Sequence, residues 1–190
     1  MEELSTIPTP CTTKIQALRD SIAQIIVGQT QATDLLLTSV IARGHVLIEG
    51  VPGVAKTLLA RVMAQLIDAR FSRVQFTPDL MPSDVLGTTV YNMKTGDFDF
   101  HPGPVFADVV LADEINRAPA KTQAALFEVM EERQVTVDGT PRAMSDVFTI
   151  IATQNPVEQE GTYKLPEAQL DRFLMKITMD YPSTDEEVEI

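Results

Sequence analysis

Eight consecutive residues, GVPGVAKT over positions 50–57, constrain the fold of this chain more than any other segment. They follow a short apolar run, HVLIE (45–49), which is typical of a buried parallel strand, and they precede a helical pattern over 56–67. A tight loop between a strand and a helix offers backbone N–H groups and a helix N-terminus to an anion. The segment therefore predicts a phosphate-binding loop in an α/β fold, where Lys56 reaches the β- and γ-phosphates and the Thr57 hydroxyl binds magnesium.

Ala55 departs from the usual form of such loops, in which glycine precedes the lysine. Glycine permits backbone angles and close approaches that a Cβ obstructs. On the motif alone, the alternative is an ordinary strand-to-helix turn that happens to contain lysine and threonine. If the loop does bind phosphate, the residues expected to contact the nucleotide are Gly50, Val51, Pro52, Gly53, Val54, Ala55, Lys56, Thr57 and Leu58.

Polar side chains follow two further apolar runs. Asp113 and Glu114 come directly after VVLA (109–112), and Asn155 comes shortly after FTIIAT (148–153). Because the carboxyl ends of parallel strands meet at one edge of a sheet, we expect these side chains to lie beside the phosphate loop. There Asp113 joins the magnesium shell, Glu114 acts on an attacking water, and Asn155 orients that water or senses the γ-phosphate. The alternatives are a solvated strand end whose aspartate caps the next helix, and a simple turn at the asparagine-proline pair.

The rest of the chain alternates helix-like and strand-like segments. Apolar residues at helical spacing predict helices over 15–26, 31–42, 56–67, 82–86 and 120–132, and short apolar runs predict strands over 45–49, 72–77, 109–112 and 148–152. This alternation predicts a three-layer α/β/α sandwich around a parallel central sheet. Two further segments, 88–100 and 134–147, carry turn residues between alternating patterns, which predicts two β-hairpin insertions.

The length of 190 residues favours one globular domain, which we expect over 15–182 after a polar, proline-containing leader over 1–14. Residues 183–190 resemble the opening of another helix, so we expect the chain to be a truncated piece. The N-terminus lacks the basic start and apolar run of a secretory signal. Since the apolar stretches also fall short of the ~20 residues of a membrane span, we expect a cytoplasmic protein without a membrane segment.

The charge balance argues against a nucleic-acid partner, because 27 acidic residues oppose 15 basic ones and binding to nucleic acid depends on clustered Lys and Arg. Cys11 is the only cysteine, which excludes an intrachain disulfide and a cysteine-based zinc site and fits a reducing compartment. His45 and His101 are too few and too far apart to form a metal site, and we interpret both as structural.

Taken together, these segments resemble the MoxR-type ATPases, which belong to the helix-2-insert branch of the AAA+ proteins. The resemblance covers nearly everything from about Ile15 onward, as the nucleotide-binding core of that family. Alanine before the loop lysine is usual there. The segments that carry the resemblance are IVGQ (26–29), EGVPGVAKT (49–57), QFTPDLMPSD (75–84), FHPGPVF (100–106), LADEINRA (111–118), ATQNP (152–156) and LPEAQLDRF (165–173).

The resemblance implies ATP and Mg²⁺ as cofactors, and it assigns roles that spacing alone does not. Val27 and Gly28 would border the adenine, and Asn155 would be the sensor residue beside the γ-phosphate. Arg172 would be an arginine finger that reaches the nucleotide of a neighbouring subunit. Such a finger stabilises charge on the transferred phosphoryl group, so hydrolysis would need a ring, which we expect to be a hexamer.

For two arginines, the sequence leaves alternative roles open. Arg172 could instead form a surface salt bridge with Asp171 or Glu167, a kind of contact that needs no function. Arg117 either contacts nucleotide across a subunit interface or caps the helix that follows. The two predicted hairpins match inserts that tend to face the pore or the client in such rings. The alternating phenylalanines of the first hairpin are more typical of packing, with client contact as the alternative.

The resemblance implies an ATPase that uses ATP hydrolysis to remodel or mature partner protein complexes, often with a von Willebrand A-type partner. The family normally continues into a small helical lid, so we expect little turnover from this chain alone. The alternatives are a magnesium-chelatase-like motor subunit, a DNA translocase, a nucleotide-gated assembly module with little hydrolysis, and a small-molecule kinase. Glu114 argues against the assembly module, which has no need of a water-activating carboxylate.

Overall fold

The structure is a computed structural model that describes residues 10–156 and 162–181. Its nine strands are β1 Val46–Gly50, β2 Phe71–Gln75, β3 Gly87–Asn92, β4 Asp97–Pro102, β5 Val109–Asp113, β6 Gln134–Val137, β7 Thr140–Ala143, β8 Thr149–Gln154 and β9 Met175–Met179. Its six α-helices are α1 Pro10–Ala23, α2 Thr30–Ile41, α3 Lys56–Leu66, α4 Pro82–Leu86, α5 Ala120–Glu132 and α6 Glu167–Leu170. Two short 3₁₀ turns flank β5, at Pro104–Phe106 and Ile115–Arg117.

Five strands form the central sheet in the order β2-β5-β8-β1-β9, and every neighbouring pair is parallel. Successive side chains of a strand point to opposite faces, so each strand feeds two apolar layers. Leu47 packs on the face covered by α4 and α5, whereas Val46 and Ile48 pack on the face covered by α1, α2 and α3. The predicted three-layer α/β/α sandwich with a parallel sheet is confirmed.

The strand β9 is absent from the sequence-based prediction. It pairs with β1 along its whole length and forms one edge of the sheet. Its pattern of alternating burial leaves Lys176 and Thr178 exposed, while Ile177 and Met179 are buried. A five-residue alternation at a sheet edge is a weak signal, because edge strands need few apolar residues.

Among the described residues the first helix spans Pro10–Ala23, so it extends further towards the N-terminus than the predicted 15–26 and ends at Ala23 instead of position 26. It therefore includes residues 10–14 of the expected leader. The exposed residues 10–14 carry no apolar periodicity, which is why the sequence pattern does not include them in the helix. The helix expected at 183–190 lies outside the described residues.

Both hairpins are present, as the antiparallel pairs β3–β4 and β6–β7. They meet each other where the guanidinium of Arg142 in β7 lies 3.9 Å from the ring centre of Phe100 in β4. Phe100 also makes an edge contact with Phe106. Phe98 is 72% exposed and contacts the ring of Tyr91, so only one of the two alternating phenylalanines packs against the rest of the domain.

Candidate functional site

The loop between β1 and α3 has the backbone geometry of a tight anion-binding turn. Gly50 approaches the edge strand so closely that a Cβ there would lie 2.5 Å from the carbonyl oxygen of Met179, and Gly53 has a φ of +90°. Ala55 has φ 60° and ψ 21°, the left-handed region that glycine usually occupies. The alanine thus adopts the conformation that makes glycine common at this position, and the loop retains its turn despite the departure from the usual motif.

The side chain of Lys56 lies over this loop. Its Nζ donates to the carbonyl oxygens of Gly50 at 2.6 Å and Val51 at 2.8 Å. Partial burial lowers the pKa of the Lys56 ammonium, and the negative charges of Asp113 and Glu114 oppose that shift. The Lys56 ammonium is therefore close enough to Asp113 and Glu114, at the end of the buried strand β5, to interact with their negative charges.

A cavity of about 380 Å³ joins the loop to the ends of β5 and β8. Asn155 lines it, together with the preceding residues of β8. The expected parallel-strand arrangement thus brings the loop, the two acids and the amide to one place. The lining residues are Pro52, Gly53, Val54, Ala55, Lys56, Thr57, Leu58, Asp113, Glu114, Thr153, Gln154 and Asn155.

Both carboxylate oxygens of Asp113 accept hydrogen bonds. The Thr153 hydroxyl donates to Oδ1 at 2.6 Å, and Arg73 donates to Oδ2 from Nε at 3.1 Å and from Nη2 at 2.7 Å. The same Thr153 oxygen accepts the backbone N–H of Glu114 at 3.0 Å. Thr153 and Arg73 are not among the site residues expected from the sequence, although the alternating polar residues of β2 are a signal for a functional strand face.

Glu114 is held from two sides. Its backbone is left-handed, with φ 57° and ψ 49°, which is uncommon for a residue with a side chain. Its Oε2 accepts from Nε2 of Gln75 at 2.7 Å and pairs with Nε of Arg117 at 3.1 Å. Gln75, in turn, accepts from Nη2 of Arg73 at 2.7 Å. Arg117 thus contacts a site residue of its own chain, and its expected contact with nucleotide across a subunit interface stays a prediction.

Arg172 lies outside this cavity. Its Nη1 pairs with Oε1 of Glu131 on α5 at 2.6 Å, and both side chains are about half exposed. This partner differs from the Asp171 and Glu167 considered for a surface salt bridge. The neighbouring Phe173 packs edge-on against Phe127, which fixes the segment on the α5 side of the sheet.

Val27 and Gly28 lie between α1 and α2 and do not line the cavity. They are connected to it through the end of β9. The next residue, Gln29, donates from its side-chain amide to the carbonyl of Asp180 at 2.8 Å. The Tyr181 hydroxyl then donates to the carbonyl of Pro52 in the loop at 3.3 Å. Two hydrogen bonds through the end of β9 thus connect the turn at 27–29 to the loop, and the adenine-bordering role of Val27 and Gly28 stays a prediction.

His45 has a structural environment, as interpreted from the sequence. Its Nδ1 accepts the backbone N–H of Ile150 at 3.0 Å, and its Nε2 donates to the carbonyl of Met130 at 3.2 Å. Burial lowers the pKa of His45 to about 4, so the ring is neutral in the folded protein at pH 7. His101 is exposed on β4.

The oxygen atoms at the cavity suit Mg²⁺. Thr57 offers a hydroxyl and Asp113 a carboxylate, and this ion is commonly held by one or two protein oxygens together with phosphate oxygens. Within residues 10–156 and 162–181, no group of three His, Cys, Asp or Glu side chains is arranged to hold a metal ion. Across the same ranges, every helix is too short or too polar to cross a membrane.

Comparison with known proteins identifies relatives of this chain. The model of the ATPase family associated with various cellular activities (AAA) matches residues 45–175. The Bacillus subtilis protein YeaC is 55% identical over 171 residues, which are 90% of this chain and 53% of that protein. The chaperone MoxR1 of Mycobacterium tuberculosis is 54% identical over 169 residues, which are 89% of this chain and 45% of that protein.

A more distant relative and a solved structure agree with these matches. The protein MoxR of Methylorubrum extorquens is 39% identical over 166 residues, 85% of this chain and 48% of that protein. The crystal structure of a proposed ATPase from Cytophaga hutchinsonii superposes with a TM-score of 0.84 at 50% identity, over 93% of this chain and 54% of that one. The chain spans about half the length of the curated relatives it matches. It belongs to the MoxR family of AAA+ ATPases.

Proposed function

We propose that this chain is the nucleotide-binding core of a chaperone-like ATPase that binds ATP with Mg²⁺ and hydrolyses it to remodel or mature partner protein complexes. The observation that carries the proposal is the position of the Glu114 carboxylate. Glu114 lines the same cavity as the lysine-bearing loop, and two donors hold its carboxylate in place. A module that only binds nucleotide has no need of a fixed carboxylate at that position.

Binding would depend on the loop and its two flanking groups. The loop N–H groups and the N-terminus of α3 attract the phosphates, and Lys56 exchanges its loop carbonyl partners for phosphate oxygens. Thr57 and Asp113 would hold Mg²⁺, which neutralises phosphate charge when it is bound. Val27 and Gly28 would border the adenine, since their turn is connected to the loop through the end of β9.

Hydrolysis would depend on Glu114 and Asn155. Glu114 accepts hydrogen bonds from an attacking water and draws its proton away, while the amide of Asn155 orients the water or contacts the γ-phosphate. The Gln75 and Arg117 donors engage the same Glu114 oxygen, Oε2. The carboxylate therefore has a set orientation before any nucleotide arrives, which reduces the cost of ordering it during reaction.

Arg172 would complete the site of a neighbouring subunit. It lies outside the cavity of its own chain, and its pairing with Glu131 is half exposed and so costs little to exchange. An arginine supplied in this way stabilises the charge that develops during phosphoryl transfer and is worth about 10³-fold or more in kcat. We therefore propose a ring, expected to be a hexamer, as the active form.

The client-directed part of the proposal rests on relatives. The Mycobacterium tuberculosis relative is named a chaperone, and half of each curated relative lies outside the region that this chain matches. A helical lid after a core over residues 15–182, extended to Pro10 by α1, is the domain arrangement we propose. The von Willebrand A-type partner and the cytoplasmic location remain predictions from the sequence.

ATP hydrolysis as a function of protein concentration tests the proposal. It is measured on this chain and on a form that continues through the proposed lid. Turnover per subunit should rise steeply with concentration as rings form. Glu114→Gln should retain nucleotide binding and lose hydrolysis by at least about 100-fold. If nucleotide binds with Mg²⁺ but neither form hydrolyses ATP at any concentration, the motor proposal fails.

A second measurement separates a shared site from a self-contained one. Arg172→Ala and Glu114→Gln are each inactive by themselves under the proposal, but in a mixed ring some interfaces carry an intact Arg172 opposite an intact Glu114. Mixing the two variants should therefore restore part of the activity. If the mixture stays inactive although mixed rings form, Arg172 does not act between subunits.

A further inference from the structure

Arg73 contacts the residue that is proposed to hold the metal, although its own position is in β2 and not in the cavity. β2 is the edge strand beside β5, and their parallel register pairs Arg73 with Leu111 and Gln75 with Asp113. From this position the guanidinium donates twice to Oδ2 of Asp113. The Arg73 side chain is 45% exposed and that of Asp113 only 11%. The Arg73 guanidinium thus offsets the charge of the buried Asp113 carboxylate from the solvent side.

The consequence for a divalent cation follows from charge. The second oxygen of Asp113 already accepts the Thr153 hydroxyl, so both oxygens are engaged before a metal arrives. An incoming Mg²⁺ meets a carboxylate whose charge is largely offset, and it is repelled by the guanidinium on the far side. The metal gains less from Asp113 than it would gain from a free carboxylate. Arg73 therefore lowers the affinity of the site for Mg²⁺ with nucleotide.

The same guanidinium extends to the residue proposed to act on water. Arg73 donates to the side-chain oxygen of Gln75, which leaves the amide N–H of Gln75 to donate to Glu114. A single arginine thus orients two acids, one directly and one through an amide. If a bound metal displaces Arg73 from Asp113, the hydrogen bond from Gln75 to Glu114 changes as well, because Arg73 also donates to Gln75.

We propose that Arg73 is a resident counter-ion of Asp113 that sets how much free Mg²⁺ is needed to hold nucleotide. This inference rests on the proposed nucleotide site. Arg73 is a positioning residue in this scheme, because it acts through Asp113 and Gln75. Its effect appears as a shift in the Mg²⁺ midpoint of nucleotide binding, a quantity that a purely structural cross-strand pair does not control.

The molecule provides a matched control on the same two strands. Arg70, just before β2, donates from Nε and Nη2 to the two oxygens of Asp108, just before β5. This pair has the same chemistry and lies at the opposite end of the strands, away from the cavity. A change that merely weakens the attachment of the edge strand should appear with either arginine, whereas a change at the metal site should appear with Arg73 alone.

The experiment measures binding of a fluorescent ADP analogue to the wild type, Arg73→Gln, Arg73→Lys and Arg70→Gln across a series of free Mg²⁺ concentrations. ADP avoids hydrolysis, so the readout is binding alone. Arg73→Gln should shift the Mg²⁺ midpoint to about threefold to tenfold lower concentration, the range expected for a half-exposed charge. Arg73→Lys keeps the charge and should stay within about twofold of the wild type. Arg70→Gln should leave the midpoint unchanged.

Each other outcome has a distinct meaning. An unchanged or higher midpoint for Arg73→Gln overturns the counter-ion role while leaving the proposed function intact. If Arg73→Gln fails to fold, a large midpoint shift in folded Arg73→Lys overturns the inference, because the charge is still present. If the wild type binds no nucleotide at any Mg²⁺ concentration, the proposed function fails and the inference fails with it.

Discussion

The side-chain amide of Gln75, at the end of β2, donates a 2.7 Å hydrogen bond to the carboxylate of Glu114, which follows β5. Gln75→Ala removes this donor. Of the two contacts to Oε2 of Glu114, only the one from Arg117 then remains. We expect kcat to fall by about tenfold, because Glu114, the proposed general base, loses part of its orientation, with nucleotide affinity nearly unchanged. Steady-state kinetics together with nucleotide binding measure the two effects. Ser72→Ala on the same strand serves as control, and an equal loss in that variant would contradict the explanation.

Lys56→Met should abolish tight nucleotide binding. The ammonium is poised over the loop by two carbonyl oxygens, and no uncharged side chain replaces its attraction for phosphate. We expect the dissociation constant for a fluorescent ADP analogue to rise by about 100-fold, with the melting temperature little changed. The control is Lys121→Met on α5, an exposed lysine outside the cavity. Retained affinity in Lys56→Met would show that the loop does not bind phosphate in the proposed way.

His45 should make stability depend on pH below neutrality. Its pKa is about 4 in the folded protein and about 6.5 when unfolded, so the unfolded chain takes up a proton first as the pH falls. The contribution of the neutral ring is complete above about pH 6.5 and is lost progressively as the pH falls towards 4. Lowering the pH from 7 to 5 should therefore reduce the free energy of unfolding by about 2 kcal/mol through His45.

Denaturant unfolding of the wild type and of His45→Gln at these two pH values measures that effect. The variant is less stable at pH 7, because it loses two buried hydrogen bonds, but its stability should change less between the two values. His101→Gln, at the exposed histidine, should keep the wild-type dependence. Equal pH dependence in the wild type and His45→Gln would exclude His45 as its source.

Ala55→Gly and Ala60→Gly should change stability in opposite directions. Ala55 is left-handed, which costs a side-chain-bearing residue about 1–2 kcal/mol, so glycine should stabilise the fold by about 0.5 kcal/mol after its greater unfolded-state entropy is counted. Ala60 lies in the buried interior of α3, where glycine costs about 1 kcal/mol. Thermal unfolding of both variants measures the difference. Destabilisation of equal size in both would mean that the Ala55 backbone is not strained.

The sequence is most informative where a local pattern and a general rule of sheet geometry coincide. The apolar run before Asp113 predicts a strand, and the meeting of parallel strand ends predicts that Asp113 and Glu114 lie near the loop. The structure brings them to the same cavity as Lys56 and Asn155. None of this required knowledge of which strands are neighbours, because every parallel strand ends at the same edge of the sheet.

The missed features depend on strand neighbours. Arg73 and Gln75 become part of the site only because β2 lies beside β5 in a register that pairs Gln75 with Asp113. β9 is recognisable as a strand mainly through its pairing with the distant β1. Arg172 and Glu131 likewise meet through tertiary packing. Contacts between segments far apart in the sequence leave no periodic signal in either segment.

β1 lies between β8 and β9, two strands that come much later in the sequence. This order affects how the protein folds during synthesis. Val46 pairs with Ile151 on one side and with Met175 on the other, so both neighbours of β1 leave the ribosome long after it does. Pairing between such distant segments is slow, because a large loop must close before any contact forms. The loop between β1 and α3 is therefore synthesised well before the strands that support it, and a nascent chain that ends before Met175 has no edge strand to pack against Gly50. Nucleotide is thus expected to act on the finished domain and not as a template for the growing one.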